Sequence, residues 1–323
     1  MNKILFILFA VLVFTSCGSD EDNFSPIQPG GNTGSNTGSF VDTTPGVNNQ
    51  NANGTKTNAY TWKLEFPALQ NDSNDNDHLL IHTTTKYGMN YAIEWCHSKR
   101  AQRWTCYEMY AGNSVKNWNR NDWASTDWKG DPFQVDRMLN DICGYCTTEL
   151  SDYRGSGFNR GHICPSADRL NSQVANEQTF YLSNMQPQKY EFNAGIWGKM
   201  EIKLRQWNMD SFRDTLYICK GGTISDVNLD GKKVSGIKEY TKSGLPVPRY
   251  FYMAVLCVKD GKYKAMAFWA EHLYEDHSKD ALINYAISVD ELEKRTGIDF
   301  FCNLPDALEN SVESNFKTSD WNW

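Results

Sequence analysis

Apolar residues are spread unevenly along the chain. From Ile4 to Phe14 they form one unbroken run, between residues 18 and 58 they almost disappear, and from Tyr60 to Trp323 they return in short clusters. Tyr91-Ala-Ile-Glu-Trp-Cys96 and Arg103-Trp-Thr-Cys-Tyr-Glu-Met109 are aromatic and β-branched around a polar turn, which predicts a hairpin. Leu216–Cys219, Tyr250–Val258 and Tyr263–Trp269 read as further strands, the last two joined at Asp260-Gly261, a strong hairpin signal. Phe192–Trp207 reads as a helix. So does Ser288–Thr296, which opens on the capping-box spacing Ser288-Val-Asp-Glu291 and stops before Gly297. Strands and helices mix without regular βαβ alternation, which predicts an α+β domain.

The apolar run of eleven residues is too short to span a bilayer, which takes about 20, so Lys3 and the run behind it read as an export leader. Val13-Phe14-Thr15-Ser16-Cys17 resembles a lipobox, with Cys17 acylated after cleavage. Residues 1–17 are therefore the expected signal peptide. Residues 18–58 are too polar to offset their ordering entropy and form the expected tether, leaving 59–323 as one domain. The expected location is the cell envelope, anchored to the outer-membrane bilayer through Cys17. Asp20-Glu21-Asp22 resembles signals for surface exposure. Beyond Cys17, eight cysteines remain, an even number that suggests up to four disulfides in an oxidising compartment. Cys143-Gly-Tyr-Cys146 has redox or zinc-knuckle spacing, but with no second pair in sequence a bridge or free thiols is the simpler reading.

A formal charge of −7 argues against a protein that coats nucleic acid by charge alone. From Arg154 to Arg213, however, eight Lys and Arg face five Asp and Glu, a local basic patch suited to a polyanion. Inside it lies Gly157-Phe-Asn-Arg-Gly-His162. The glycine allows the backbone a tight path, Arg160 offers a planar cation for phosphate, and His162 can take a proton from water near neutral pH. A short motif of this kind is more often structural. Asn193, Trp197, Glu201 and Arg205, spaced at four, would spiral along one helix face, although Glu201–Arg205 also suits a plain salt bridge and Asn193 a plain N-cap. His78 and His82 are expected to flank a strand start, and His272 and His277 to lie on a polar loop or helix, with no recognised zinc pattern among them.

Taken together, Asn159-Arg-Gly-His162, Ser183-Asn-Met-Gln-Pro-Gln188, Asn193 with Gly195 and Trp197, Glu201 with Arg205, Pro246-Val-Pro-Arg-Tyr-Phe251 and Val289–Gly297 resemble the sugar-non-specific DNA/RNA endonucleases, the ββα-metal family that includes endonuclease G. The resemblance spans about residues 80 to 310 and implies a central, mostly antiparallel sheet flanked by helices. It further implies sequence-independent hydrolysis of DNA and RNA to 5′-phosphate ends. His162 would be the general base and Asn193 the direct ligand of Mg2+, with Mn2+ as a substitute. Glu201 would reach the ion through water, Arg160 and Arg205 would contact phosphate and developing charge, and Asn184 and Arg120 would meet substrate. The chain departs from the family at Asn159, where the common motif has Asp, removing a negative charge from beside Arg160. Two other readings stay open here: a nuclease-fold lipoprotein that binds nucleic acid without cutting it, and a phosphodiesterase of small esters.

Overall fold

The computed structural model describes residues 60–70, 77–122 and 131–323, all within one compact unit. Cys17, the leader and the tether lie outside the described residues. In chain order the strands are β1 (His78–Thr84), β2 (Gly88–Cys96), β3 (Ala101–Tyr110), β4 (Asn159–His162), β5 (Met185–Gln188), β6 (Thr215–Gly222), β7 (Val227–Leu229), β8 (Lys232–Val234), β9 (Ile237–Tyr240), β10 (Pro246–Pro248), β11 (Tyr250–Lys259), β12 (Lys262–Glu271) and β13 (Ala286–Ile287). The α-helices are α1 (Arg137–Cys143), α2 (Leu150–Tyr153), α3 (Gln173–Gln178), α4 (Tyr190–Phe192), α5 (Gly198–Trp207), α6 (Val289–Thr296) and α7 (Asp306–Ser314).

A seven-stranded sheet in the order β1-β2-β3-β6-β11-β12-β13 forms the centre, with every neighbouring pair antiparallel. Both of its faces are buried, which is why its strands read as almost continuous apolar runs. Tyr91, Ile93, Phe251, Met253 and Val255 point to one face, where they pack with Met200, Leu204 and Trp207 of α5. The alternate residues Ala92, Tyr252, Ala254 and Leu256 point to the other, against Val289 and Leu292 of α6 and Val312 of α7. The fold is α+β, with helices on both sides of an antiparallel sheet.

Local sequence signals account for the connections. Asp260 and Gly261 both adopt positive φ, 49° and 70°, the two-residue turn that matches strand twist. Ser288 accepts a hydrogen bond from the Glu291 amide at 3.1 Å, and Gly297 ends α6 in the left-handed region. The capping box is only half made, because the Glu291 carboxylate binds Arg295 instead.

The cysteines use one of the bridges their number allows, at the Cys143-x-x-Cys146 pair where a bridge is one of the two simpler readings. Among the described residues one disulfide joins Cys143 to Cys146, while Cys96, Cys106, Cys164, Cys219, Cys257 and Cys302 are buried and not disulfide-bonded. Cys106 and Cys219 even face each other across β3 and β6 without bridging. A domain of this size encloses enough apolar surface for its thiols to serve as small core side chains. Among the described residues no helix is long and apolar enough to cross a membrane.

Candidate active site

Outside the central sheet, β4 and β5 pair antiparallel across the intervening residues 163–184, and β5 runs into α4, a π-helical turn at Asn193–Trp197, and α5. Asn159 pairs with Gln188 and His162 with Met185. The glycine between Arg160 and His162 is required for space rather than for unusual dihedrals. A Cβ on Gly161 would lie 2.3 Å from Cδ of Gln188, a fully buried side chain that crosses over it. Gly161→Ala is therefore expected to cost about 1–3 kcal/mol through overpacking. Guanidinium unfolding of the variant measures this, and an unchanged midpoint would show that Gln188 moves aside freely.

His162 ends β4 with its ring against Phe133 and Phe180, at centroid distances of 5.6 and 5.2 Å. Its Nε2 is buried with no hydrogen-bond partner among the described residues. Burial, followed by the positive charges of Arg120, Lys220 and Arg160, pushes its pKa down to about 3. The ring is neutral at physiological pH, as a proton acceptor must be. Its backbone carbonyl accepts a 3.2 Å hydrogen bond from Trp197 Nε1, which ties the strand end to the helix midway between Asn193 and Glu201.

That helix is not the regular spiral expected from the spacing at four. Gly195 breaks the helical dihedrals within the π turn (φ −88°, ψ −113°), so Asn193 stands at a bulge of the kind often found at functional sites. Asn193 lines an open groove of about 470 Å³ together with Asn159, Arg160, Arg154, Asp131 and Phe133. His162, Glu201 and Arg205 do not line that groove. Glu201 faces Lys220 at 2.8 Å, and burial raises its pKa while Lys220 opposes the rise. Arg205 bonds Asp168 at 2.9 Å rather than Glu201, and the Tyr107 hydroxyl donates to the other Asp168 oxygen at 2.9 Å. The salt bridge that the Glu201–Arg205 spacing allows is not made, because each partner meets a nearer group arriving from another element.

Arg120 is exposed yet close enough for its charge to act on His162. Arg160 is half-exposed, bonded to Asp131 at 3.0 Å and stacked 3.8 Å above the Phe133 ring. Asp131 thus provides the negative charge that Asn159 lacks. Asn184 is corrected by the structure. It is fully buried, its Oδ1 accepting from the Cys164 amide at 2.8 Å and its Nδ2 donating to the carbonyls of Cys164 and Thr179. It has no donor left for substrate and instead fixes the chain just after His162.

His272 is also corrected. It is not on a polar loop but fully buried, its Nδ1 donating to the Pro248 carbonyl and its Nε2 accepting from the Lys189 amide at 2.9 Å. Burial brings its pKa down to about 4, preserving the acceptor that holds the start of α4. His82 lies within β1, buried against Asp136 at 3.0 Å, while His78 opens that strand. Sequence reading missed Lys220, Asp168, Asp131 and His272. The available signal was Lys220 itself, a lysine continuing an apolar strand, which demands a carboxylate partner.

Two antiparallel strands feeding a helix, with a neutral histidine at the end of one strand and an amide-bearing bulge at the helix start, have the ββα arrangement. The comparisons place the chain accordingly: the profile of the DNA/RNA non-specific endonuclease family matches residues 64–307, and the chain belongs to that family. It is 31% identical to nuclease C1 of Cunninghamella echinulata var. echinulata over 66% of this chain and 81% of that protein. It is 28% identical to mitochondrial nuclease EXOG of Danio rerio over 73% of this chain, spanning 65% of that relative's length. In fold it matches a chain from the crystal structure of the EndoG/EndoGI complex, with a TM-score of 0.58, 24% identity, and coverage of 71% of this chain and 87% of that one.

Proposed function

We propose that the protein is an endonuclease that hydrolyses phosphodiester bonds of DNA and RNA without sequence preference, leaving 5′-phosphate ends. The observation that carries this reading is His162: a neutral imidazole with an unpartnered ring nitrogen, surrounded by the cations Arg120, Arg160 and Lys220. Buried polar groups without partners cluster where a ligand completes them. Burial does most to keep the imidazole unprotonated, and the positive charges that add to it also attract a polyanionic chain.

In this reading the groove takes the flanking strand, and the scissile phosphodiester stands at its edge beside His162, its oxygens facing Arg160 and Arg120. His162 removes a proton from the attacking water as its oxygen bonds to phosphorus; the bond to the 3′-oxygen breaks, and that oxygen takes a proton from a second water to leave as the 3′-hydroxyl. Arg205, half-exposed and oriented by Asp168, faces charge that develops on phosphate. Contacts confined to phosphate and sugar carry no base preference.

The oxygen donors Asn193, on the groove wall, and Glu201, one side of whose carboxylate is bound to Lys220, suit a hard divalent cation such as Mg2+. Asn193 would hold it directly and Glu201 through water, and the ion supplies charge stabilisation at the leaving oxygen. Export and acylation at Cys17, with attachment to the outer membrane, belong to the same proposal and rest on the leader.

The test uses plasmid, single-stranded DNA and RNA. Chelation with EDTA is expected to abolish cleavage and Mg2+ to restore it, with Mn2+ able to replace Mg2+. Products should be ligatable without prior phosphorylation, showing 5′-phosphate ends. Full activity in EDTA, or faster turnover of a dinucleotide than of a long polymer, refutes the reading.

A further inference from the structure

A second cluster lies outside the nuclease site, at the other end of α1. The sequence offers no partner pair for Cys143-x-x-Cys146, but the fold brings two imidazoles to it. One ligand atom each from His78, His97, Cys143 and Cys146 lie within 4.8 Å of one another. His78 opens β1, His97 sits in the β2–β3 turn, and the cysteines end α1 and the turn after it. Nε2 of His78 faces Nδ1 of His97 at 3.4 Å. Two nitrogens bonded to one tetrahedral zinc ion at about 2.0–2.1 Å would be about 3.3–3.4 Å apart, so the imidazoles already stand at the edge length of such a site.

The cysteine loop is held in place independently of any ion. Trp95 Nε1 donates to the Cys146 carbonyl at 3.2 Å, and Arg100 Nε to the Thr147 carbonyl at 3.0 Å. The Cys143 and Cys146 Cα atoms are 5.7 Å apart, close enough for both sulfurs to reach one ion. A disulfide by itself gives no reason for two histidines to converge on it. Soft thiolate and imidazole donors together suit Zn2+ and not Mg2+.

We propose that His78, His97, Cys143 and Cys146 form a tetrahedral structural zinc site, and that the Cys143–Cys146 disulfide is its metal-free, oxidised form. A dithiol reductant supplies two electrons and two protons to open the S–S bond and is itself oxidised to a disulfide. Zn2+ then displaces one proton from each thiol. The ion would clamp the edge of the sheet to the segment running from Asp131 through α1, which carries the Asp131 and Phe133 partners of Arg160. The site is separate from the Mg2+ position and does not depend on the nuclease reading.

The test uses the full chain, reduced with a dithiol, loaded with zinc sulfate and freed of excess metal. Elemental analysis should find about one zinc per chain, in wild type and in Asn193→Ala alike, and none in Cys143→Ser/Cys146→Ser. Loading reduced wild type with Co2+ should give intense visible bands and thiolate charge-transfer absorption, a reading that needs no variant to fold. Oxidation should release the metal as the bridge re-forms. The proposal is overturned if reduced wild type retains no stoichiometric zinc, if the double serine variant binds as much, or if the cobalt spectrum lacks thiolate absorption.

Discussion

Replacing His162 with alanine is expected to lower kcat/KM on plasmid DNA by between about 100- and 10,000-fold, the range spanned by loss of a positioned general base. A structural histidine at this point would behave differently. Its loss would reduce the folded fraction and leave the surviving molecules active. The pH dependence separates the two cases. With the folded pKa near 3, wild type should keep its base deprotonated well below the ordinary histidine value of about 6.5, so the acid limb of kcat/KM should fall below pH 6. Stability follows the same depressed value. The neutral ring contributes stability above its unfolded pKa, and this is lost progressively as the pH falls from 6.5 toward 3. His162→Ala should therefore lose less stability than wild type on acidification over that window. Activity in the variant equal to wild type, or an acid limb centred near 6.5, would sink the assignment.

The largest stability effect is expected at Lys220. Its side chain is fully enclosed, 2.8 Å from the Glu201 carboxylate and 4.7 Å from the centre of the Trp197 ring. Lys220→Met leaves Glu201 as a buried charge without its partner, and such losses cost about 3–5 kcal/mol. Protonation of Glu201, whose pKa burial already raises, offsets part of that cost. Adding Glu201→Gln to the same chain removes the stranded charge and should recover much of the stability while nuclease activity stays low. Urea unfolding of both variants is the measurement. A loss below about 1 kcal/mol in the single variant would mean that the pair behaves like an exposed surface bridge.

How far the sequence reveals this protein depends on the range over which each feature is determined. The β2–β3 and β11–β12 hairpins are legible because residues on both faces of the sheet are apolar and their turns are short. The α6 boundaries are legible because Ser288 and Gly297 act on their own backbone neighbours. The motif residues around His162 are legible because the family pattern is local in sequence. Their partners are not. Lys220 reaches Glu201 of α5 from β6, Asp168 reaches Arg205 from the loop after β4, and His272 braces Lys189 from the end of β12. Spacing along a helix cannot predict such meetings, and it suggested Glu201–Arg205 instead. The π turn escaped as well, since nothing about a single Gly195 distinguishes a bulge from a tolerated helical glycine. Asn184 looked functional because it lies in a motif, although its amide is committed entirely to the backbone.

The Asp131–Arg160 pair changes what counts as the smallest working unit. In a motif with an aspartate beside the arginine, the orienting charge travels with the strand that carries it wherever that strand is transplanted. Here the carboxylate arrives from a segment before α1, so a grafted β4–β5–α5 fragment would carry Arg160 without the group that orients it. Any transplant to another scaffold must therefore import that upstream segment too, because truncations trespassing on it remove both the carboxylate that aims Arg160 and Phe133, one of the two rings packed on the His162 imidazole.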